Sequence, residues 1–115
     1  MKSLMLAVFA MALAACAAPA ETPPAVADNA QATCAAQGGR LERVGRAQTL
    51  QCVIPYADAG KSCTDGAQCE SGRCLGPVDA AGQTNTSGQC QADNMRFGCT
   101  TTIVNGHAEA AICVD

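Results

Sequence analysis

The sequence predicts a small disulfide-rich domain that contains β-hairpins and is otherwise irregular. Nine cysteines occur among the 115 residues, and eight of them lie between Cys34 and Cys113. From Cys34 onward only twelve residues are Leu, Ile, Val or Phe, which is about 15% and below the roughly 20% under which a core is difficult to build. Glycine-containing turns separate short runs of strand-forming residues. Such a domain needs covalent cross-links, which disulfides supply in an oxidising compartment.

The first sixteen residues resemble the signal region of a bacterial lipoprotein. A positive Lys2 precedes an apolar run over residues 4–13, which is too short for a membrane-spanning helix of about 20 residues but suits a signal-peptide core. The following Leu13-Ala14-Ala15-Cys16 resembles the lipobox of that class. The resemblance implies that residues 1–15 are a removed signal peptide and that Cys16 carries acyl chains such as palmitate.

The same resemblance implies a location in the cell. Two or more acyl chains give stable membrane anchoring. Residue 17 is Ala, whereas Asp at that place marks retention at the inner membrane in this class. We therefore expect a cell-envelope protein anchored by lipid to the outer membrane, facing the periplasm or the cell surface. Cleavage of an ordinary signal peptide after Ala18-Pro19-Ala20 remains the alternative, and eight cysteines are left in either case.

The segment 16–33 is predicted to be the lipidated cysteine followed by a flexible tether. It is rich in Ala and Pro, contains the pair Pro23-Pro24 and has no aromatic residue. Such a composition buries too little surface to offset the entropy of ordering. The cysteine-rich domain is then expected to occupy residues 34–115.

Glycine turns predict one hairpin at each end of this domain. Gly45-Arg46 suits a two-residue turn that places Leu41 opposite Leu50. Between the hairpins, residues 56–77 carry a glycine in nearly every gap between cysteines, which is typical of turns.

The second hairpin has the stronger signal. Asn105-Gly106 suits a type I′ turn because both residues tolerate a positive φ. The residue pairs then expected to face each other are Val104 with His107, Ile103 with Ala108, and Cys99 with Ile112.

The eight cysteines allow 105 connectivities, and the sequence does not choose among them. Hairpin geometry suggests that Cys34–Cys52 and Cys99–Cys113 each close a hairpin near its open end. The remaining cysteines could then pair as Cys63–Cys74 and Cys69–Cys90.

No cofactor or metal is expected. Zinc sites favour closely paired cysteines or His and Cys clusters, whereas the closest cysteines here are separated by four and five residues and His107 is the single histidine. The acidic residues do not follow the spacing of a calcium loop, and no nucleophile and base form a recognisable catalytic pattern. A net charge of −3 without a basic patch argues against binding to nucleic acid.

Two short cysteine patterns add further resemblances. The C-x5-C-x4-C spacing of Cys63, Cys69 and Cys74 looks like small extracellular cysteine-rich modules. The run from Cys34 to Gly39, followed by Cys52, is similar to the opening of a domain-of-unknown-function family of bacterial envelope proteins that carries a haemolysin label. This resemblance implies the compartment and a disulfide framework. The resemblance does not imply haemolytic activity for this chain, which lacks the Trp found later in that pattern.

These observations predict a non-catalytic envelope module that binds a protein or glycan or has a structural role. The alternative is an inhibitor of a secreted protease, in which Lys61 or Arg73 would be the contact residue on a disulfide-stapled loop.

Overall fold

The computed structural model describes residues 24–115, which form one helix and eight short strands. The predictions for residues 1–23, including the signal peptide and Cys16, lie outside this range. The elements are α1 Pro24–Ala36, β1 Arg40–Val44, β2 Thr49–Val53, β3 Ser62–Cys63, β4 Cys74–Gly76, β5 Gly88–Cys90, β6 Gly98–Val104, β7 His107–Ala108 and β8 Ile112–Val114. No helix within this range is long and apolar enough to span a bilayer.

All strand pairs are antiparallel. Strands β1 and β2 form a separate hairpin, and the other six strands form one sheet in the order β3-β5-β4-β6-β7, with β8 also paired to β6. Short strands, one helix and irregular connections confirm the predicted fold class.

Part of the expected flexible tether is helical, because α1 covers residues 24–36. Proline is well tolerated in the first turn of a helix, and the alanine-rich sequence that follows favours helix formation. The helix ends at Ala36, two residues before Gly38, whose φ is +80°. Its last turn carries Cys34, which is buried and bonded to Cys52. The composition of this segment predicted a flexible tether because composition carries no information about the disulfide that attaches the helix to β2.

The first hairpin exists, but its predicted register is wrong by two residues. Leu41 lies opposite Cys52 instead of Leu50, because the connection contains four residues instead of two. Gly45 and Gln48 both adopt a positive φ, and the Gln48 side-chain amide donates to the Gly45 carbonyl at 2.8 Å. An even shift leaves each side chain on its expected face.

The second hairpin is confirmed at its tip and wrong at its base. Ile103 pairs with Ala108, and both turn residues have a positive φ as a type I′ turn requires. Beyond Ala108 the pairing moves by one residue, so that Cys99 faces Cys113 instead of Ile112. An irregular stretch over residues 109–111 separates β7 from β8 and allows this shift.

All four suggested disulfides are present, namely Cys34–Cys52, Cys63–Cys74, Cys69–Cys90 and Cys99–Cys113. The Cys63–Cys74 and Cys69–Cys90 disulfides, which we call the central disulfides, form most of the core, together with Ile103, Ala80 and Ala108. The sulfur atoms of Cys63, Cys69 and Cys90 lie within 4.8 Å of one another. Because each is already bonded in a disulfide, this group is two neighbouring cystines and not a set of free thiolate ligands.

The Asp65 side chain links the turn between β3 and β4 to the turn of the second hairpin. One carboxylate oxygen accepts from the Ala67 amide at 2.8 Å, and the other accepts from the Asn105 amide at 2.9 Å. These two hydrogen bonds stabilise the ionised carboxylate and hold the pKa of Asp65 below its usual value, and the bond from Ala67 has the larger effect.

This lowered pKa predicts a contribution to stability that depends on pH. The contribution is complete above the carboxyl's ordinary pKa and is lost as the pH falls through the lower pKa of the folded state. We expect Asp65→Asn to flatten the acid limb of a plot of unfolding free energy against pH, because the amide cannot ionise. Asp28→Asn, which removes the same charge from an exposed helix position, is the control. An unchanged acid limb in Asp65→Asn would contradict this role.

Candidate functional site

One face of the six-stranded sheet packs on the disulfide core, and the other is uncovered. In β6, Thr101 and Ile103 are fully buried, whereas Thr100 and Thr102 point to the opposite side and are half-buried. Strand register continues this second side across the sheet, and we call it the open face. Its side chains are those of Ser62, Leu75, Gln89, Thr100, Thr102 and Ile112. The helix packs against β1 and leaves this face accessible.

A shallow cleft of about 640 Å³ lies on the open face between β3, β5 and β4. Hydroxyl and amide groups of Ser62, Ser87, Gln89 and Gln91 contribute to its lining. None of its twelve lining residues carries an ionisable side chain apart from Cys90, which is held in a disulfide. The cleft can therefore offer hydrogen bonds to a ligand but no general acid or base.

A second groove of about 160 Å³ adjoins this cleft and shares Leu75 and Thr100 with it. We call it the arginine groove. Its lining residues are Arg73, Leu75, Met95, Arg96, Phe97, Gly98, Thr100, Ile112 and Val114. Three of these are large apolar side chains with much of their surface exposed, at 44% for Phe97, 58% for Ile112 and 46% for Val114. Neighbouring exposed apolar side chains are typical of surfaces that bind a partner.

Buried Gln91 holds one wall of the arginine groove in place. Its side-chain amide donates to the carbonyls of Asp93 at 2.6 Å and Met95 at 2.7 Å. Its side-chain oxygen accepts from the Arg73 guanidinium at 3.3 Å. Because both ends of this amide are bonded, a buried polar group is satisfied while it orients Arg73 and the loop that carries Met95.

The first hairpin supports the same loop from outside the sheet. The Asn94 side chain accepts from the Ile54 amide at 2.8 Å and donates to the Cys52 carbonyl at 3.1 Å. At the turn of the hairpin, the ring of Phe97 lies so close to Gly45 that a Cβ there would come within 2.6 Å of it. The loop is thus fixed at both ends, which positions Phe97 beside the groove.

Lys61 and Arg73, the alternative contact residues of the inhibitor hypothesis, have different surroundings in the structure. The Lys61 ammonium donates to the Gln68 carbonyl at 2.7 Å, in the turn between β3 and β4. Arg73 is half-buried in the groove wall. His107 is exposed at the tip of the second hairpin. This geometry gives the inhibitor hypothesis no particular support.

Sequence reasoning missed the residues that build the groove. Gln91, Asn94, Phe97 and Ile112 lie in or beside cysteine-flanked segments without a motif. Ile112 and Val114 are separated by one residue, and this alternation was the available signal that both share one face of a strand. Their proximity to Arg73 depends on strand order, which the sequence does not show.

No family model, curated protein or solved structure matches this chain. The class of protein to which this chain belongs is therefore described from its own structure. It is a disulfide-stapled β module with an uncovered, grooved sheet face.

Proposed function

We propose that this protein is a lipid-anchored envelope module that binds a partner through the open face and performs no catalysis. The observation that carries the proposal is the arginine groove, where the exposed side chains of Phe97, Ile112 and Val114 line one site. The Cys63–Cys74 disulfide holds β4, and the Cys99–Cys113 disulfide joins β6 to β8, which are the strands that line the groove. A rigid surface loses little conformational entropy when it binds, which favours recognition.

The proposed anchor rests on the lipobox-like residues 13–16 and on the compartment. Four disulfides suit a protein that folds in the oxidising envelope. The membrane would then hold the module near its partner, with the chain between Cys16 and α1 as the connection.

Intact mass spectrometry of the membrane-extracted protein tests the anchor. We expect a chain that begins at Cys16 and carries acyl groups, with eight thiols accessible to alkylation only after reduction. A Cys16→Ser variant should lose the acyl mass and leave the membrane fraction. A delipidated chain that begins near Glu21 would show ordinary secretion instead.

Site-specific photocrosslinking in intact cells tests the binding face. A photoreactive residue at Gln89, which is exposed on the open face, should give one discrete adduct. The same residue at Asp28, which is exposed on the helix, is the matched control. Adducts of equal yield from both positions, or none from Gln89, would contradict the proposal.

A further inference from the structure

We infer that the arginine groove binds an extended acidic peptide segment of a protein partner, which adds as a strand to the free edge of β8. This inference rests on the proposed function and specifies the partner of the same face. It depends on three observations, which are the charge of the groove, the unpaired strand edge and the size of the cavity.

The charge of the groove is opposite to that of the chain. The protein has a net charge of −3, yet Arg73 and Arg96 line the groove and none of its nine lining residues is acidic. A third guanidinium, that of Arg46, lies 3.7 Å from the carboxylate of Asp115 at the end of β8 and offsets its charge. The carboxylate of Asp93, beside the groove, accepts from the Met95 amide at 2.9 Å. Guanidinium groups bind carboxylates through paired, charge-assisted hydrogen bonds, so an acidic ligand is complementary to this site.

The edge of β8 is available for backbone pairing. Residues 112–114 pair with β6 on one side, and within residues 24–115 no backbone hydrogen bond is made from their other side. The Cys99–Cys113 disulfide holds β8 against β6, so the edge is presented in a fixed position. An exposed edge of this kind can accept an additional strand, and pockets for alternate side chains then give specificity.

The size of the groove favours a peptide over a compact ligand. Its volume of about 160 Å³ is below the roughly 300–1,000 Å³ typical of sites that enclose a small molecule. It can take an apolar side chain against Phe97 and Ile112, while neighbouring acidic side chains reach the arginines. An extended peptide with an acidic and an apolar residue two positions apart matches this layout, since residues i and i+2 of a strand lie on the same face.

Fluorescence anisotropy with a labelled heptapeptide of sequence Thr-Glu-Thr-Val-Thr-Glu-Thr, which carries glutamate and valine on one face of a strand, tests the inference. The lipidated protein is used whole, in nanodiscs of neutral phosphatidylcholine. We expect saturable binding that weakens with added salt. The same heptapeptide with lysine in place of both glutamates should bind about tenfold more weakly or worse, as expected when charge-assisted bonds are replaced by repulsion.

Two charge reversals locate the site. Arg96→Glu, at an exposed groove position, should reduce affinity for the acidic heptapeptide about tenfold or more. Lys61→Glu makes the same charge change beside β3, at the opposite edge of the sheet from β8, and should leave affinity unchanged. Equal losses in both variants, or none in Arg96→Glu, would overturn the inference.

The outcomes separate this inference from the proposed function. Absence of heptapeptide binding together with a persistent Gln89 adduct would overturn the acidic peptide and leave the binding face standing. Loss of both would overturn both. Binding to anionic phosphatidylglycerol vesicles without binding to the heptapeptide would assign the arginines to a lipid surface, and would also overturn the inference.

Discussion

Complete reduction of the four disulfides is expected to unfold the domain. Closure of a loop of about 15 residues contributes about 3 kcal/mol by restricting the unfolded chain, and the four loops here have sequence separations of 11 to 21. The central cystines are also the main contents of the core, which otherwise holds only Ile103 and two alanines. Reduction therefore removes the cross-links together with the packed sulfur bridges that fill the core.

Circular dichroism during denaturant unfolding, with and without excess reductant, measures this effect. A cooperative transition that survives full reduction and alkylation would contradict it. With limiting reductant, alkylation followed by peptide mass analysis should detect Cys99 and Cys113 first, because both are exposed. Cys74, which has no exposed surface, should react late.

Ile103→Ala is expected to lower the free energy of unfolding by about 2–5 kcal/mol with all disulfides intact, the usual cost of truncating a buried aliphatic side chain. Ile103 is the largest fully buried side chain in residues 24–115. Two glycines pack closely on it, since a Cβ at Gly76 or Gly88 would lie 2.9 or 3.0 Å from its side chain. The surrounding strands are cross-linked, so they can close the resulting cavity only in part.

Ile112→Ala is the matched control, because it makes the same chemical change in the same sheet at a side chain that is 58% exposed. We expect its unfolding free energy to change by about 0.5 kcal/mol or less. Denaturant midpoints measured under non-reducing conditions compare the two variants. Equal losses would show that the sheet is not packed on the Ile103 side, and would contradict the assignment of the open face.

The sequence predicted the elements that depend on local chemistry. Asn105-Gly106 forms the expected type I′ turn because few other residue pairs adopt two positive φ angles without strain. The hairpins suggested that Cys34 pairs with Cys52 and Cys99 with Cys113, which the structure confirms. The pairing suggested for the four remaining cysteines was one of three possibilities. These conclusions held although the register of the first hairpin was wrong by two residues, since an even shift preserves the faces.

By itself, then, the sequence determined a cross-linked β domain and the turn of its second hairpin. It suggested the cysteine pairs, which the structure confirms. Only the tertiary structure decided that residues 24–33 are helical, that β8 shifts by one residue, and that Arg73, Phe97 and Ile112 line one groove. The physical reason is that turn preferences and loop closure act over a few residues. The groove, in contrast, depends on strand order and on long-range bonds such as those of Asn94 to Ile54 and Cys52, which no local pattern encodes.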